Sequence, residues 1–412
     1  MRRLLAIRDA RLYIGGQTLS AIGDSSLWLA MGVWVKILTG SNSDGGLVIF
    51  AFTCGLVLAP ACGLLADRLP RKPLLIAVNL ASAALVCTLL LVHGAHDVWL
   101  IYVVMFLYGA GNALISSAQT ALLAVLIPDD LLGEANMLLQ VGTQGTRIFT
   151  PLIGAGLLAW VGAQPVVLLD AATFVAAAVT IMAVRFQEQP APARTDWKGE
   201  FLAGWRYIGQ TPILRRLLVT FVIALAVFGF METICFAVVS QGLHRPPTFL
   251  GVLVAVLAAG SIAGAILAAP LMEWTSERAT VAGALVTCAI ACLLFTSGIL
   301  AVALTACALL GACLAGANVA ATTLLQRRTP PELLGRVDAA LTLGSTLPQA
   351  LSIAIGAALV AVVDYRILLL VMAAVTLAAA AYLLSGRNQG QPAPGPAAPP
   401  NQADVPLTAA DA

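Results

Sequence analysis

Two runs of about twenty residues, Leu47 to Ala66 and Pro73 to Val92, contain no charged side chain, and each is long enough as a helix to cross the hydrocarbon core of a bilayer. Between them lies a short charged elbow, Asp67-Arg68-Leu69-Pro70-Arg71-Lys72. The pair reads as two membrane-spanning helices joined by a loop, and the rest of the chain must be read on the same terms.

Composition extends that reading to all 412 residues. Hydrophobic residues make up 60% of the chain and charged residues 10%, against about 25% charged in soluble domains. Too few charges remain to cover a water-facing surface, so the chain is an all-α, multi-pass membrane protein. Its net charge of +2 gives no footing for nucleic-acid binding. The cysteines (Cys54, Cys62, Cys87, Cys235, Cys288, Cys292, Cys307 and Cys313) all lie in apolar runs. Only Cys288 and Cys292 share a helix face, and no His or acid adjoins them, so they read as small packing residues and no metal or cofactor is expected. No Gly-x-x-x-x-Gly-Lys-Ser/Thr loop and no His-Glu-x-x-His occurs, which disfavours ATP-driven transport and metalloprotease chemistry; the chain is not expected to be an enzyme. The start, Met1 to Asp9, is basic without an apolar run ending in a cleavage site, and reads as a cytoplasmic lead-in.

Apolar stretches bounded by charge, Gly or Pro give twelve candidate spans, near 12–37, 46–66, 73–93, 98–125, 135–160, 165–185, 213–240, 248–270, 279–299, 301–325, 337–362 and 366–385. With the N-terminus inside, eighteen of the 22 Lys and Arg fall on the cytoplasmic side, whereas Lys36, Arg245 and Arg366 fall near the other. The remaining Arg147 lies within a span. By the positive-inside rule both termini are cytoplasmic and the span count is even.

The polar segment from Gln187 to Gln210 separates two groups of six spans. It predicts an N-terminal bundle over 1–186, a linker over 187–212, a C-terminal bundle over 213–386 and a disordered tail over 387–412, rich in Pro, Ala and Gln. Trp197, Phe201, Trp205 and Tyr207 in the linker could lie along a membrane-surface helix or belong to a plain connection. The two halves are related. An offset of 202 residues superposes Gly109 on Gly311, Pro128 on Pro330, Leu131-Leu132-Gly133 on Leu333-Leu334-Gly335, and Gly154 on Gly356. Parallel repeats of this kind build a large class of secondary transporters, with the substrate site near mid-membrane between the halves.

Gly63-x-Leu65-Ala66-Asp67-Arg68-x-x-Arg71-Lys72 resembles the signature loop of the major facilitator superfamily. The loop carries Pro70 where that signature has Gly, and span five has Thr150 before Pro151 where the antiporter pattern has Gly-Pro. Gly23-Asp24, Ala118-Gln119, Pro128 to Gly133, Asp170-Ala-Ala-Thr-Phe174 and Pro330 to Arg336 resemble the branch that holds macrolide-efflux proteins and the enterobactin exporter. The resemblance implies the major facilitator fold, twelve transmembrane helices in two pseudo-symmetric six-helix bundles, and it implies export.

Charges inside a bilayer need partners or a wet cavity, since each costs roughly 2.5–3.5 kcal/mol or more at mid-depth. The proton-coupling candidates are therefore Asp24 in span one, Glu232 in span seven and Arg147 in span five as countercharge; a permanent structural ion pair is the competing reading. Asp170 is nearer a helix end and reads as structural. Gln17, Trp28, Tyr108, Asn112, Gln140, Gln144, Phe228 and Asn318 are candidates for the substrate cavity, with interhelical packing as the alternative. Gly63, Asp67, Arg68, Arg71 and Lys72 are the candidate conformational latch. Gly260 and Gly264 form a small-x-x-x-small face suited to the interface between halves.

The function expected is export of a lipophilic drug or siderophore-like small molecule in exchange for protons, by a monomer in a bacterial inner membrane. Its partners are the small-molecule substrate, protons and the lipid bilayer. Uptake of a small metabolite, or a non-transporting membrane scaffold or sensor, are the alternatives.

Overall fold

The computed structural model describes residues 3, 7–126, 131–184 and 205–385, and among these there is no strand. The helices are α1 (Arg8–Thr39), α2 (Asn42–Leu56), α3 (Ala59–Arg68), α4 (Arg71–Cys87), α5 (Val98–Leu126), α6 (Leu132–Trp160), α7 (Gln164–Ala183), α8 (Pro212–Ala237), α9 (Leu250–Trp274), α10 (Glu277–Phe295), α11 (Leu300–Arg328), α12 (Pro331–Leu359) and α13 (Tyr365–Leu384). Nine helical segments among the described residues are long and apolar enough to cross a membrane. Residues 187–204 of the expected linker and the tail 387–412 lie outside the described residues.

The run that reads as one span over 46–66 is broken. Proline at position 60 has no N–H to give the Leu56 carbonyl, so the helix cannot continue through it. Val57 N–H closes on Thr53 O at 3.1 Å and Leu58 N–H on Gly55 O at 3.1 Å, and the ladder restarts with Cys62 N–H on Leu58 O at 2.9 Å. The result is α2 and α3 in place of one straight helix.

The internal repeat seen in sequence reappears as packing. In the first group α1 packs on α6 and α7, α2 on α5, and α4 on α5 and α7; in the second, α8 packs on α12 and α13, α9 on α11, and α10 on α11 and α13. The superposed glycines explain why. Lipid offers no hydrophobic drive between helices, so association relies on close contact through small residues. A methyl group on Gly109 would overlap the Phe52 carbonyl of α2, and one on Gly311 would overlap the Leu257 carbonyl of α9. Gly154 lies against Ser26 of α1 and Gly356 against Phe230 of α8, again in equivalent places. Gly260 and Gly264 are corrected by the same contacts. They face Ala308 and Ala312 of α11, within the second group and not between groups, because α11 supplies the small residues that let two backbones touch.

Valine at Gly109 or Gly311 is therefore expected to separate its helix pair and lower the thermal unfolding midpoint in detergent. Overpacking of a close contact costs about 1–3 kcal/mol, and more where the obstacle is backbone. Alanine at Gly283, which has open space around its Cβ position, is the control that should leave the midpoint unchanged.

The large exposed side chains are apolar. Ile266, Leu267, Leu351, Val371 and Leu384 point outward as a lipid-facing surface requires, and Trp160 and Trp274 are exposed at opposite ends of the bundle. Exposed charge among the described residues is confined to those ends. At the end holding the start of α1, which we term the basic end, cations cap helix C-termini. Lys72 Nζ donates to Val184 O at 2.6 Å and to Met182 O at 3.1 Å, Arg216 to Tyr382 O at 3.1 Å, and Arg278 Nε to Leu383 O at 2.7 Å. Arg327 pairs with Glu277 across the same rim. Tyr207 of the segment before α8 donates to Arg328 O at 2.9 Å, and Trp205 packs against the cluster that holds Leu214, Leu217 and Leu325, so this segment docks on the second helix group.

Candidate functional site

The two helix groups meet unevenly along their length. One hydrophobic cluster runs through the whole first group and into the half of the second group remote from the basic end, through Phe236, Val238, Leu253 and Tyr365. At the basic end the second group has a separate cluster built on Ile208, Leu214, Leu217, Leu324 and Leu325. Among the described residues, the hydrogen bonds that cross between groups cluster at the end opposite the basic one. Lys36, in the last turn of α1 and only 6% exposed, donates to Asn42 Oδ1 and to Phe236 O of α8 at 2.9 Å. Ser240 Oγ reaches Asn42 Oδ1 at 3.2 Å, and Ser43 Oγ reaches Ala357 O at 2.5 Å. Gly32 and Gly45 make room for the Phe236 ring, and Gly46 for Thr233. Among the described residues the groups are thus sealed together at the Lys36 end, while their buried clusters are separate at the basic end.

Inside the first group, three polar residues from three helices converge. Asp24 comes from the middle of α1, Tyr108 from α5 and Asp170 from α7. Tyr108 Oη lies 2.5 Å from Asp24 Oδ1 and 3.5 Å from Asp170 Oδ1. Gly23 lets the α1 backbone press against α7, since a Cβ there would overlap Thr173 Oγ1 and crowd Asp170 Oδ1. The tyrosine ring is fixed by Phe52, with centroids 5.9 Å apart, and by Phe174, edge-on at 5.7 Å. Asp24 remains half-buried, whereas Tyr108 is 2% exposed and Asp170 0% exposed.

Other sequence candidates fall in distinct places. Gln17 is buried nearer the basic end, where Gln119 Nε2 donates to its Oε1 and Tyr13 Oη donates to Gln119 O at 3.3 Å. Trp28 and Asn112 are half-buried. Phe228 lines a small apolar cavity inside the second group with Met231, Cys288, Cys292, Cys313 and Met372. Asn318 is exposed and accepts from Thr322 Oγ1 at 3.2 Å. Glu232 is half-buried in α8, one turn before Phe236. Of the loop, Gly63, Arg71 and Lys72 are half-buried, and Pro70, with φ −62°, caps the start of α4 in extended geometry. The side chains of Asp67, Arg68, Gln140, Gln144 and Arg147 lie outside the described residues.

Sequence reading missed two features. Asp170 reads as structural from its distance to a helix end, with no sign that it lies with Asp24 about the Tyr108 hydroxyl. Lys36 reads as a residue at the far membrane surface, yet it is buried between groups. A lone charge in the last turn of a membrane span is the signal that marks it.

Comparison with known proteins places this architecture. The family model described as Major Facilitator Superfamily matches residues 13–337 and 217–410, and the chain belongs to that family. It is a multi-pass membrane transporter and not an enzyme. Among its relatives, Macrolide efflux protein A of Streptococcus pyogenes is 24% identical over 332 residues, 78% of this chain and 82% of that one. Multidrug efflux pump Tap of Mycolicibacterium fortuitum is 27% identical over 266 residues, 61% and 64% of the two chains. An uncharacterized MFS-type transporter of Bacillus subtilis is 24% identical over 259 residues, 60% of this chain, and the match spans 61% of that relative's length. A solved bacterial homologue of the iron transporter ferroportin, in an inward-facing state, superposes with a TM-score of 0.74 at 17% identity, over 92% of this chain and 98% of that one.

Proposed function

We propose that the chain is a twelve-span exporter that carries a lipophilic drug or siderophore-like molecule out of a bacterial cell in exchange for protons. The observation that carries this reading is the unequal joining of the two helix groups, sealed at the Lys36 end and separate in core at the basic end. A transporter that alternates access needs such an asymmetry in each of its resting states. The efflux names of two relatives support the outward direction. The concentration of Arg and Lys at the basic end supports a cytoplasmic assignment for that end and for both termini, and makes this conformation inward-facing. Bundles over 1–186 and 213–386 then rock about α2, α6, α8, α9 and α12, helices through which the groups touch.

In this reading Asp24 and Glu232, one per bundle, exchange protons with the aqueous cavity, with Arg147 as countercharge. Gln17, Trp28, Tyr108, Asn112, Gln140, Gln144, Phe228 and Asn318 supply polar and aromatic contacts to substrate. Gly63, Asp67, Arg68, Arg71 and Lys72 form a cytoplasmic latch that steadies the outward-facing state.

The test is transport into inside-out proteoliposomes with an acidic lumen. A macrolide and a lipophilic fluorescent cation are expected to accumulate, and a protonophore to abolish accumulation. Failure of every lipophilic compound to accumulate, with uptake of a polar metabolite in its place, would overturn the assignment.

A further inference from the structure

We infer that Asp24, Tyr108 and Asp170 form one proton-binding unit, in which Asp170 stores the proton and Tyr108 passes it from Asp24. This deepens the exporter reading and rests on it for the use made of the proton, but the existence of the unit is a separate matter.

A tyrosine hydroxyl has one proton to donate and lone pairs to accept with. Tyr108 Oη has two carboxyl oxygens in reach, Asp24 Oδ1 at 2.5 Å and Asp170 Oδ1 at 3.5 Å. One hydrogen cannot serve both. For both approaches to be hydrogen bonds, one carboxyl must itself carry a proton and donate it to the tyrosine oxygen. Burial identifies which. Asp170 is 0% exposed, and its second oxygen, Oδ2, is buried without a hydrogen-bond partner. A charged carboxylate with an orphaned oxygen in lipid-embedded protein would be strongly penalised, whereas a neutral carboxyl group is tolerated. Asp24 is half-buried and takes the short bond from Tyr108, which suits the charged partner.

No countercharge contradicts this among the described residues. The helices packed on the unit bring Asp24 from α1, Asp170 and Thr173 from α7, and Tyr108 from α5. Thr173 Oγ1 is committed to Asp170 O at 2.8 Å. Asn79 of α4 is committed to Leu75 O at 2.7 Å, and Thr150 of α6 to Thr146 O at 2.5 Å. Arg147 of α6 has its side chain outside the described residues.

The arrangement is graded from wetter to drier, which gives the relay its direction. Starting from the unloaded unit, with both carboxyls ionised and the tyrosine hydroxyl turned to Asp170, a hydronium ion in the cavity protonates Asp24 and leaves as water. Protonated Asp24 donates to Tyr108 Oη as the tyrosine hydroxyl proton moves to Asp170. Release runs the same transfers in reverse, so the tyrosine is unchanged after each passage.

The test is infrared difference spectroscopy of the full-length protein in lipid nanodiscs, with readouts that need no substrate. In the wild-type spectrum at neutral pH, a carbonyl stretch of protonated carboxyl is expected, and Asp170→Asn should remove it. A band that survives in Asp170→Asn would place the proton elsewhere and overturn the assignment. Should that variant fail to fold, Tyr108→Phe supplies the second reading, since loss of the hydroxyl must shift the band to higher frequency. An unmoved band would overturn the relay. A band that behaves as stated in a protein whose transport ignores a pH gradient would leave the unit standing and remove the antiport reading instead.

Discussion

Asp24→Asn is expected to abolish pH-gradient-driven accumulation in proteoliposomes while sparing substrate counterflow at equal pH. The side chain keeps its size and can still accept from Tyr108, which isolates the lost function as proton exchange. A coupling residue differs from a binding residue in this respect. Counterflow needs substrate to bind and the groups to rock, whereas accumulation needs the proton as well. Glu232→Gln should have the smaller effect of the two, because Glu232 is half-buried in α8 and stands apart from the Tyr108 unit. The double variant Asp24→Asn, Glu232→Gln should leave only the leak measured in protein-free vesicles. If gradient-driven accumulation persists in the double variant, neither carboxyl group couples transport to protons.

How much of this could be read from the sequence depends on how local each cause is. Span positions follow from runs of apolar residues, which act within a single helix, and α1 and α4 to α13 begin and end close to the bounds the runs give. The repeat was legible because Gly109 and Gly311 do the same physical work. Each admits a carbonyl from the neighbouring helix, and only glycine admits it. The break at Val57 and Leu58 was also written locally, in Pro60, but a proline inside an apolar run does not say whether the helix bends or stops. Asp24 stood out as a charge in mid-span. Its partners did not, because Tyr108 and Asp170 are 84 and 62 residues distant from their contacts. Which helix faces which is settled by packing over the whole bundle. The faces of α9 illustrate the difficulty. Gly260 and Gly264 announce a close contact, but nothing in α9 alone says that α11 makes it.

Lys36→Met is expected to close the Lys36 end more firmly, and Asn42→Ala to open it. The signs differ because burying an ammonium and depriving it of an acceptor are different changes. In the sealed state Lys36 is taken out of water and held by two neutral acceptors, Asn42 Oδ1 and Phe236 O, with its Nζ 6.0 Å from the Phe236 ring centroid. No carboxylate among the described residues pairs with the charge there, so an apolar side chain of similar length should bury at lower cost. Methionine strands little, since the single hydroxyl hydrogen of Ser240 can go to Phe236 O at 2.8 Å or to Asn42 Oδ1 at 3.2 Å, and the half-buried Asn42 can take water. Alanine at 42 instead leaves the ammonium buried with one acceptor fewer. A hydrogen bond to a charged group is worth about 1.5–3 kcal/mol, so Asn42→Ala should shift the balance between sealed and open states by roughly tenfold to a hundredfold toward open. Both variants should slow transport, because a cycle stalls whichever state is over-stabilised. Spin labels at the exposed ends of α2 and α12 distinguish them by the distance distribution across the seal, short in Lys36→Met and long in Asn42→Ala. A long distance in Lys36→Met would mean that the ammonium clamps the groups together. The buried lysine would then be the lock, and not the element that keeps closure weak enough to reverse.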